Sequence, residues 1–473
     1  MQKHLFIDGQ WVEAKQYIEL KSPFSQEVIA HVPSADQIEL DAAIAAAYRA
    51  ADAAAKMPAH KRADILEKVA MRLNERKDEA ARIIALEAAK PLKIALGEID
   101  RTVQTYKFAA EEAKRIYGET IPMDAAPGGE GRIAYTVKKP IGVIGAITPF
   151  NFPFNLVAHK VGPAIAAGNT IVLKPASQTP LSAYFIAELF EEAGLPKGIL
   201  NVVTGPGSIA GNALVADDRV SMITFTGSPE VGMRIRSQAG LKRVTLELGS
   251  NSALIVDQGV HINKMINRCV MGAFSNQGQV CISLQRIYVH EQIYEQFVEQ
   301  FKEQTMQLKM GNPLDSDTDV SALIAKKECE RVLEWLDEAK QEGAWIAAGG
   351  HIDNGILAPT IVLEAAAHLK ISCQEIFAPV VVINKVSSIH EAIKLVNDSQ
   401  YGLQAGIYTN DIHTALQAAD ELQVGGVMIN DIPTFRVDHM PYGGVKESGT
   451  GREGIKYAVE EMTELKLIVM NRG

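Results

Sequence analysis

The chain has 473 residues, 47% of them hydrophobic, with a formal net charge of −10 and a pI of about 5.7. A chain of this length buries a large core and divides into two or three domains, which excludes a small binding module. The charge is ordinary for a soluble protein, and no basic stripe interleaved with aromatic residues is present, which argues against a nucleic-acid partner.

The four cysteines lie far apart in the sequence, without CxxC pairs or nearby histidine ligands: Cys269, Cys281, Cys329 and Cys373. Neither a metal site nor a disulfide framework is therefore predicted, and free thiols fit a reducing compartment. The N-terminus has no basic segment followed by an apolar run, and no stretch of ~18 apolar residues occurs. We therefore predict a cytoplasmic protein with no membrane partner.

The first predicted element in chain order is a hairpin with its tight turn at Asp8-Gly9. Residues 37–117 carry apolar side chains at helical spacing with charged residues between them, which predicts amphipathic helices. From Ile141 onward, short apolar runs alternate with helical stretches that begin near Pro153, Leu181, Ser208 and Pro229. This alternation is typical of βαβ units and a parallel sheet.

A second βα alternation follows Cys281, with the strands QRIYVH and VVVINKV and helices over about 291–308, about 322–342 and after Ser388. The fold class is therefore predicted to be α/β, with two Rossmann-like parallel-sheet lobes and a cleft between them. The segments 120–140 and 464–470 are short alternating strands that can pair with each other or across subunits.

Two runs contain a candidate nucleophile and a candidate base. Cys281 closes FSNQGQVC, where a lone thiol lies among Asn, Gln, Ser and Gly residues, and Glu247 lies in LELGSNS. A glutamate between two leucines on an apolar strand loses hydration, which raises its pKa toward that of a useful base. The alternatives are an inert buried thiol and a structural salt bridge.

Several runs resemble, in order along the chain, the motifs of the aldehyde dehydrogenase superfamily: ITPFNFPFN, LVAHKVGPAIAAGNTIVLKPA, TFTGSPEVG, LELGSNSALIV, FSNQGQVC, EIFAPV, NDSQYGLQAGIYT and MPYGGVKESGTGREG. The resemblance runs almost end to end. Within the superfamily, the chain is similar to the branch that oxidises lactaldehyde, phosphonoacetaldehyde and sulfolactaldehyde. It implies a cofactor-binding domain (1–119 and 141–247) and a catalytic domain (248–445). It also implies a β-arm (120–140 and 446–473) that forms a homodimer or homotetramer.

The resemblance implies an enzyme that works through a covalent sulfur intermediate. The Cys281 thiolate adds to the aldehyde, the thiohemiacetal releases hydride, and Glu247 activates the water that hydrolyses the thioester. Asn151 of PFNFPF matches the residue that stabilises the oxyanion, although an Asn between two prolines can be only a turn former. A catalytically silent structural paralogue is the alternative of another class, and the retention of these residues together with Lys174 argues against it.

The cofactor is expected to be NAD or NADP. No GxGxxG motif follows the first strand, so this expectation rests on the family's own motifs. Ser177 stands where many NAD-preferring relatives have a glutamate, so NADP is expected to be tolerated. By the resemblance, the cofactor-binding residues are Pro149, Phe150, Lys174, Ser177, Gly207, Phe225, Thr226, Gly227, Ser228, Glu375 and Phe377.

Three predicted tunnel positions that are mostly apolar or aromatic in relatives with neutral substrates are basic here: Arg101, His159 and Arg436. The structural alternatives are an Arg101–Glu98 pair, an Arg436–Asp438 pair and a satisfied core histidine. Uncompensated like charges around a pocket are costly, so their coincidence predicts a substrate with an anionic head. Phosphonate, sulfonate or phosphate is favoured, and the alternatives are lactaldehyde, glycolaldehyde and succinate semialdehyde.

Overall fold

The computed structural model describes residues 1–473, and its N-terminal third contains two hairpins and four helices. Asp8 and Gly9 form the predicted tight turn with φ angles of 53° and 69°. The elements are β1 (Leu5–Ile7), β2 (Gln10–Val12), β3 (Tyr17–Lys21), β4 (Val28–Pro33), α1 (Gln37–Lys56), α2 (Ala59–Glu75), α3 (Lys77–Ala88), α4 (Leu92–Ala113), β5 (Thr120–Ile121) and β6 (Arg132–Pro140).

The next elements alternate strand and helix, as predicted: β7 (Val143–Ile147), α5 (Asn155–Ala167), β8 (Thr170–Lys174), α6 (Pro180–Glu192), β9 (Leu200–Val202), α7 (Asn212–Ala216), β10 (Val220–Thr226), α8 (Pro229–Gln238) and β11 (Arg243–Glu247). The strands β9, β8, β7, β10 and β11 are parallel neighbours in that order. Helices cover both faces of this sheet, so its strands are nearly continuous apolar runs.

The second lobe is built around another sheet. Its elements are β12 (Ala253–Val256), α9 (Ile262–Phe274), β13 (Arg286–His290), α10 (Tyr294–Thr305), α11 (Lys326–Gln341), β14 (Trp345–Ala348), β15 (Ile352–Asp353), β16 (Ile356–Leu357), β17 (Thr360–Leu363), α12 (Lys370–Cys373), β18 (Val380–Val386), α13 (Ile389–Asn397), β19 (Tyr401–Gly402), β20 (Gln404–Tyr408), α14 (Ile412–Glu421) and β21 (Gly426–Ile429). The sheet order is β14, β17, β18, β13, β12, β20, β21, and only β14 is antiparallel to its neighbour.

The C-terminal elements return to the first lobe and to the arm: β22 (Val445–Lys446), β23 (Gly449–Thr450), α15 (Ile455–Glu461) and β24 (Thr463–Asn471). The strand β23 adds to the first sheet beside β11. The strand β24 pairs with β6 over its whole length, and β5 pairs with the other edge of β6. The two segments with alternating strand patterns therefore pair with each other within the chain, and the predicted domain limits and oligomeric state stay predictions.

Candidate active site

A cavity of about 650 Å³ lies between the two lobes, with α4 and α5 on one side and α9 on the other. The segment that follows β21 closes it. Its lining is mainly apolar, with Phe152 and Phe274 among the walls, and it includes Arg101, Arg436 and Cys281. The predicted nucleophile and two of the three predicted substrate-binding residues therefore line one space.

Cys281 is positioned by an unusual turn at the end of α9. Asn276, Gln277 and Gly278 have φ angles of 51°, 56° and 68° in succession, a left-handed run that costs free energy unless its surroundings enforce it. The Gln277 amide donates at 3.0 Å to the main-chain oxygens of Ala89 and Ala322. A Cβ at position 278 would lie 2.1 Å from the Ala378 oxygen, so the sequence needs glycine there.

The thiol of Cys281 has one hydrogen-bond partner, the hydroxyl of Tyr442, with Sγ and Oη 2.8 Å apart. The guanidinium carbon of Arg436 lies 3.7 Å from the centre of the Tyr442 ring. Burial raises the pKa of the Cys281 thiol to about 11, while the Tyr442 contact and the Arg436 charge act in the opposite direction. Sequence reasoning did not assign a role to Tyr442, although it lies in the quoted run MPYGGVKESGTGREG.

Asn151 lies next to the chain that carries the cysteine. Its side-chain amide donates to the Gln279 main-chain oxygen at 2.9 Å. Its own main-chain oxygen accepts from the Lys90 ammonium at 2.5 Å and from the Asn276 amide at 3.2 Å. An amide nitrogen carries two N–H groups, so one remains for an oxyanion.

A buried ion pair holds the loop around Asn151. Lys90 and Glu98 are both fully buried and pair with each other. The Glu98 carboxylate also accepts from the main-chain N–H groups of Phe154 and Asn155, at 2.9 and 3.2 Å, where α5 begins. The pair therefore fixes the backbone on both sides of Phe152.

Glu247 ends β11 and is 3% exposed, and neither carboxylate oxygen has a hydrogen-bond partner. Burial, and then repulsion from Glu453, raises its pKa well above the ordinary value, although Arg436 and Lys160 oppose this. The main chain at Gly443 passes close to the Glu247 carboxylate, and glycine permits this because a Cβ at position 443 would lie 2.9 Å from a Glu247 oxygen. The Glu247 carboxyl group is thus not held in a salt bridge, so the structural alternative proposed for it is not observed.

The basic residues have buried counter-ions, so the expectation that their charges are uncompensated is wrong. Asp438 binds Arg101 through both oxygens, at 2.7 and 3.1 Å, and lies 2.9 Å from His159 Nε2. Arg436 pairs with Glu453 at 2.8 Å. The partners proposed as structural alternatives are also wrong, since Arg101 does not use Glu98 and Arg436 does not use Asp438.

His159 is a buried histidine rather than a wall of the cavity. Its side chain has no exposed surface, and burial, reinforced by the Arg436 charge, lowers its pKa. Arg101 keeps 31% of its side chain exposed, and Arg436 keeps 7%. The structure therefore brings the two arginines to the cavity and places His159 behind them, against Asp438.

Two predicted cofactor residues lie at the carboxyl edge of the first sheet. Lys174 ends β8, and its ammonium is 2.9 Å from the main-chain oxygen of Pro175, with no carboxylate partner. Burial lowers its pKa to about 8. The hydroxyl of Ser177 donates to the Gly205 oxygen at 3.3 Å. A buried ammonium without a counter-ion fits an anionic or polyhydroxyl ligand.

The remaining predicted cofactor residues surround the same edge. Ser228 precedes α8 without capping it through its side chain, so the first N–H groups of the helix are open to a phosphate. Glu375 accepts from the Ser250 N–H at 3.0 Å, and burial raises its pKa to about 7. The ring centres of Phe150 and Phe377 are 5.8 Å apart, and the Thr226 hydroxyl accepts a hydrogen bond from Lys160. The remaining members are Pro149, Gly207, Phe225 and Gly227. These residues fit a bound NAD or NADP.

The whole arrangement matches one protein family. The model of the aldehyde dehydrogenase family matches residues 11–468 of the chain. The chain belongs to the aldehyde dehydrogenase family. It is an NAD(P)-dependent oxidoreductase of the α/β fold predicted from its sequence. No helix is both long and apolar enough to span a bilayer.

Relatives extend over the full length. A 3-sulfolactaldehyde dehydrogenase of Priestia megaterium is 49% identical over 99% of this chain and 98% of its own. Aldehyde dehydrogenase 21 of Physcomitrella patens, solved with the reaction product succinate, has a TM-score of 0.97 at 40% identity and covers 100% of this chain and 98% of that chain. The glyceraldehyde-3-phosphate dehydrogenase GapN of Methanocaldococcus jannaschii, solved with NADP, has a TM-score of 0.93 at 40% identity. The match covers 97% of this chain and 100% of that chain.

Proposed function

We propose that the protein oxidises a short aldehyde with an anionic head group to the carboxylic acid. The observation that carries the proposal is the state of Arg436 in the cavity. Its Nε is buried and has no hydrogen-bond partner, although its Nη2 donates to Glu453. A buried guanidinium with an unpaired donor beside the nucleophile is suited to an oxyanion of the substrate.

The charges around the cavity also favour an anion. Arg101, Lys160 and Arg436 are cations, and Asp438 and Glu453 are their carboxylate partners. Burial raises the pKa values of Asp438 and Glu453, but hydrogen bonds and charges from the neighbouring basic side chains outweigh it and hold both pKa values below the ordinary range. Three cations against two anions leave one positive charge in this group, and the other charged residues at the cavity pair with each other, Lys93 with Asp319 and Lys90 with Glu98.

The relatives support the same class of substrate. The three named above act on, or were solved with, molecules that carry a sulfonate, a carboxylate and a phosphate. One residual positive charge suits a monoanionic head such as a sulfonate best among the candidates phosphonate, sulfonate and phosphate. A neutral hydroxyaldehyde such as lactaldehyde is the second candidate, and the observation that favours it is the pairing of Arg101 with Asp438 through both carboxylate oxygens.

The reaction uses Cys281, which lines the cavity, and Asn151 and Glu247, which are not part of its lining but lie near the cysteine. The Cys281 thiolate adds to the aldehyde carbon, and the free N–H of the Asn151 amide stabilises the resulting oxyanion. A nicotinamide cofactor, which Lys174, Ser228 and Glu375 would hold, would supply the acceptor for the hydride that this tetrahedral adduct releases. A thioester on Cys281 remains, and Glu247 takes a proton from the water that hydrolyses it. Reaction ends with the free acid and a regenerated thiol.

The first prediction concerns the head group. Short aldehydes of one chain length with sulfonate, phosphonate, phosphate or carboxylate heads are expected to have a higher kcat/KM than methyl or hydroxyl analogues. Arg436→Met should lower kcat/KM for the acidic aldehydes by about 10- to 100-fold, because a hydrogen bond to a charged group is lost. The kcat/KM for neutral aldehydes should fall less, because they lose only the effect of Arg436 on Tyr442 and Cys281, and Arg268→Met, which removes an arginine outside the cavity, should change neither class. Equal oxidation of propanal and the acidic aldehydes by the unmodified enzyme would contradict the proposal.

The second prediction concerns the base. Glu247→Gln keeps the shape of the side chain but cannot accept a proton. The first-turnover burst of reduced cofactor at 340 nm should persist, while steady-state turnover falls by about 10²- to 10⁴-fold. In the unmodified enzyme, steady-state turnover should rise as pH rises through the elevated pKa of Glu247, because only the carboxylate accepts the proton. Loss of the burst together with turnover would show that Glu247 acts before hydrolysis; Cys281→Ser should abolish both.

The third prediction concerns the cofactor. No carboxylate binds the Ser177 hydroxyl, so a ribose 2′-phosphate meets no repulsion from this position. We expect NADP to support turnover, and Ser177→Glu to lower kcat/KM with NADP by about 100-fold, because a like charge beside the phosphate costs several kcal/mol. The exposed change Ser237→Glu on α8 serves as the matched control. A hundredfold preference of the unmodified enzyme for NAD would overturn the expectation.

A further inference from the structure

The contact between Tyr442 and Cys281 is the basis of an additional role at the same site. The Tyr442 hydroxyl is 2.8 Å from the Cys281 sulfur, and it is the only hydrogen-bond partner of that sulfur within the chain. Tyr442 is 3% exposed, so its hydroxyl has little water to bind instead. A buried hydroxyl of this kind requires a partner, and the reactive sulfur is the one it has.

The backbone around Tyr442 fixes the direction of its ring. Its N–H donates to the Glu453 main-chain oxygen at 3.0 Å, and the Glu453 N–H donates back at 2.6 Å. The Arg436 guanidinium covers one face of the ring at 3.7 Å from its centre, in cation–π geometry. The hydroxyl is therefore held in place by groups on two segments of the chain and does not depend on a rotating surface side chain.

The proton in this contact belongs to the phenol when the thiol is ionised. Burial, together with the neighbouring Cys281, raises the pKa of Tyr442 well above its ordinary value. When Cys281 loses its proton to solvent, its sulfur can only accept, and the Tyr442 O–H then donates to an anion. Hydrogen bonds to charged groups are stronger than those between neutral groups.

We propose that Tyr442 is a catalytic residue whose hydroxyl donates a hydrogen bond to the Cys281 thiolate and so favours the nucleophilic form of the cysteine. The proposal rests on the function given above, in which Cys281 is the nucleophile. Its effect belongs to the thiolate form of the sulfur. Once the sulfur is bonded to the substrate carbon it carries no charge, so the hydrogen bond weakens; it strengthens again when water has attacked the thioester and the sulfur leaves as a thiolate.

None of the other charged groups near the sulfur donates a hydrogen bond to it. The groups that act on the Cys281 thiol are Tyr442, Arg436, Glu375 and Glu247. Arg436 favours the thiolate through its charge, but it stacks on the tyrosine ring rather than binding the sulfur. The two glutamates disfavour the thiolate when they are ionised. The Tyr442 hydroxyl is thus the one direct donor that offsets part of the burial of the thiol.

The test measures the ionisation of Cys281 in the full-length enzyme. Iodoacetamide converts the thiolate into a thioether with release of iodide, and mass spectrometry of the peptide that contains Cys281 gives its alkylation rate apart from the other three cysteines. Tyr442→Phe keeps the ring under Arg436 and removes only the hydroxyl. We expect the midpoint of the pH–rate profile to rise by about one unit. At a fixed pH below both midpoints, the rate should fall about threefold, because the less acidic thiolate is also more nucleophilic.

A matched control is available in the second lobe. The hydroxyl of Tyr288 accepts from Arg286 at 3.2 Å, and this tyrosine also has an arginine beside its ring. Tyr288→Phe should leave the Cys281 profile unchanged. Uniform labelling with 3-fluorotyrosine strengthens the hydrogen bond instead of removing it, because the fluorinated phenol is more acidic and donates more strongly. It should lower the midpoint of the pH–rate profile for Cys281 alkylation.

The kinetic signature separates this role from a structural one. Tyr442→Phe should slow the first-turnover burst more than thioester hydrolysis, because the attack of water precedes the departure of the thiolate. An unchanged or lowered alkylation midpoint in Tyr442→Phe, or an unchanged or raised midpoint in the fluorotyrosine enzyme, would overturn the inference. If Cys281→Ser keeps its activity, the proposed function itself fails. If Cys281→Ser is inactive and the Tyr442→Phe midpoint does not move, only the role of Tyr442 fails.

Discussion

The site depends on the way one buried guanidinium is held. Arg436 donates to Glu453, stacks on the ring of Tyr442 and retains a buried Nε without a hydrogen-bond partner. Because Tyr442 in turn contacts the sulfur of Cys281, the residue proposed to bind the substrate head lies one side chain away from the nucleophile. The fold achieves this by returning the chain from the second lobe to the first after β21.

Two buried glutamates near this guanidinium have pKa values shifted in opposite directions, and their contacts explain the difference. Glu453 has Lys160 at 3.2 Å and Arg436 at 2.8 Å, and these cations keep its pKa low despite burial. Glu247 has no hydrogen-bond partner, and burial next to the ionised Glu453 raises its pKa. Environments that push the pKa values of two carboxyl groups apart in this way are typical of acid–base sites, and they support our proposal that Glu247 is the base and Glu453 is structural.

Local chemistry explains what could be predicted from the sequence. Asp8-Gly9 is enough to predict a hairpin, and the alternation of apolar runs and helices is enough to predict two parallel sheets, because turn residues and hydrophobic periodicity act over short distances. Helix α9 was not predicted, and its first residue follows His261, which provides no capping hydrogen bond. The motif around Cys281 predicts which residue is the nucleophile, but it does not predict that Tyr442 and Arg436 lie beside it.

Contacts between distant segments explain what could not be predicted. Arg101 and Asp438 are 337 residues apart in the chain, so the sequence showed three basic residues but not the carboxylates that neutralise them. Tyr442 lies in a recognised run, yet its role depends on a distance of 2.8 Å to a residue on another segment. His159 matched a tunnel position by its resemblance to relatives, but the structure buries it against Asp438.

The proposed function requires that an anionic head group binds beside Arg436, near Arg101, and so brings the aldehyde carbon to Cys281. A crystal structure of the Cys281→Ser variant with a three-carbon carboxylic acid that carries a terminal sulfonate tests this binding mode directly. We expect the sulfonate within hydrogen-bonding distance of Arg436 Nε, and the carboxylate beside the substituted position 281 and the Asn151 amide. A sulfonate bound away from both arginines, with the carboxylate still at position 281, would contradict it.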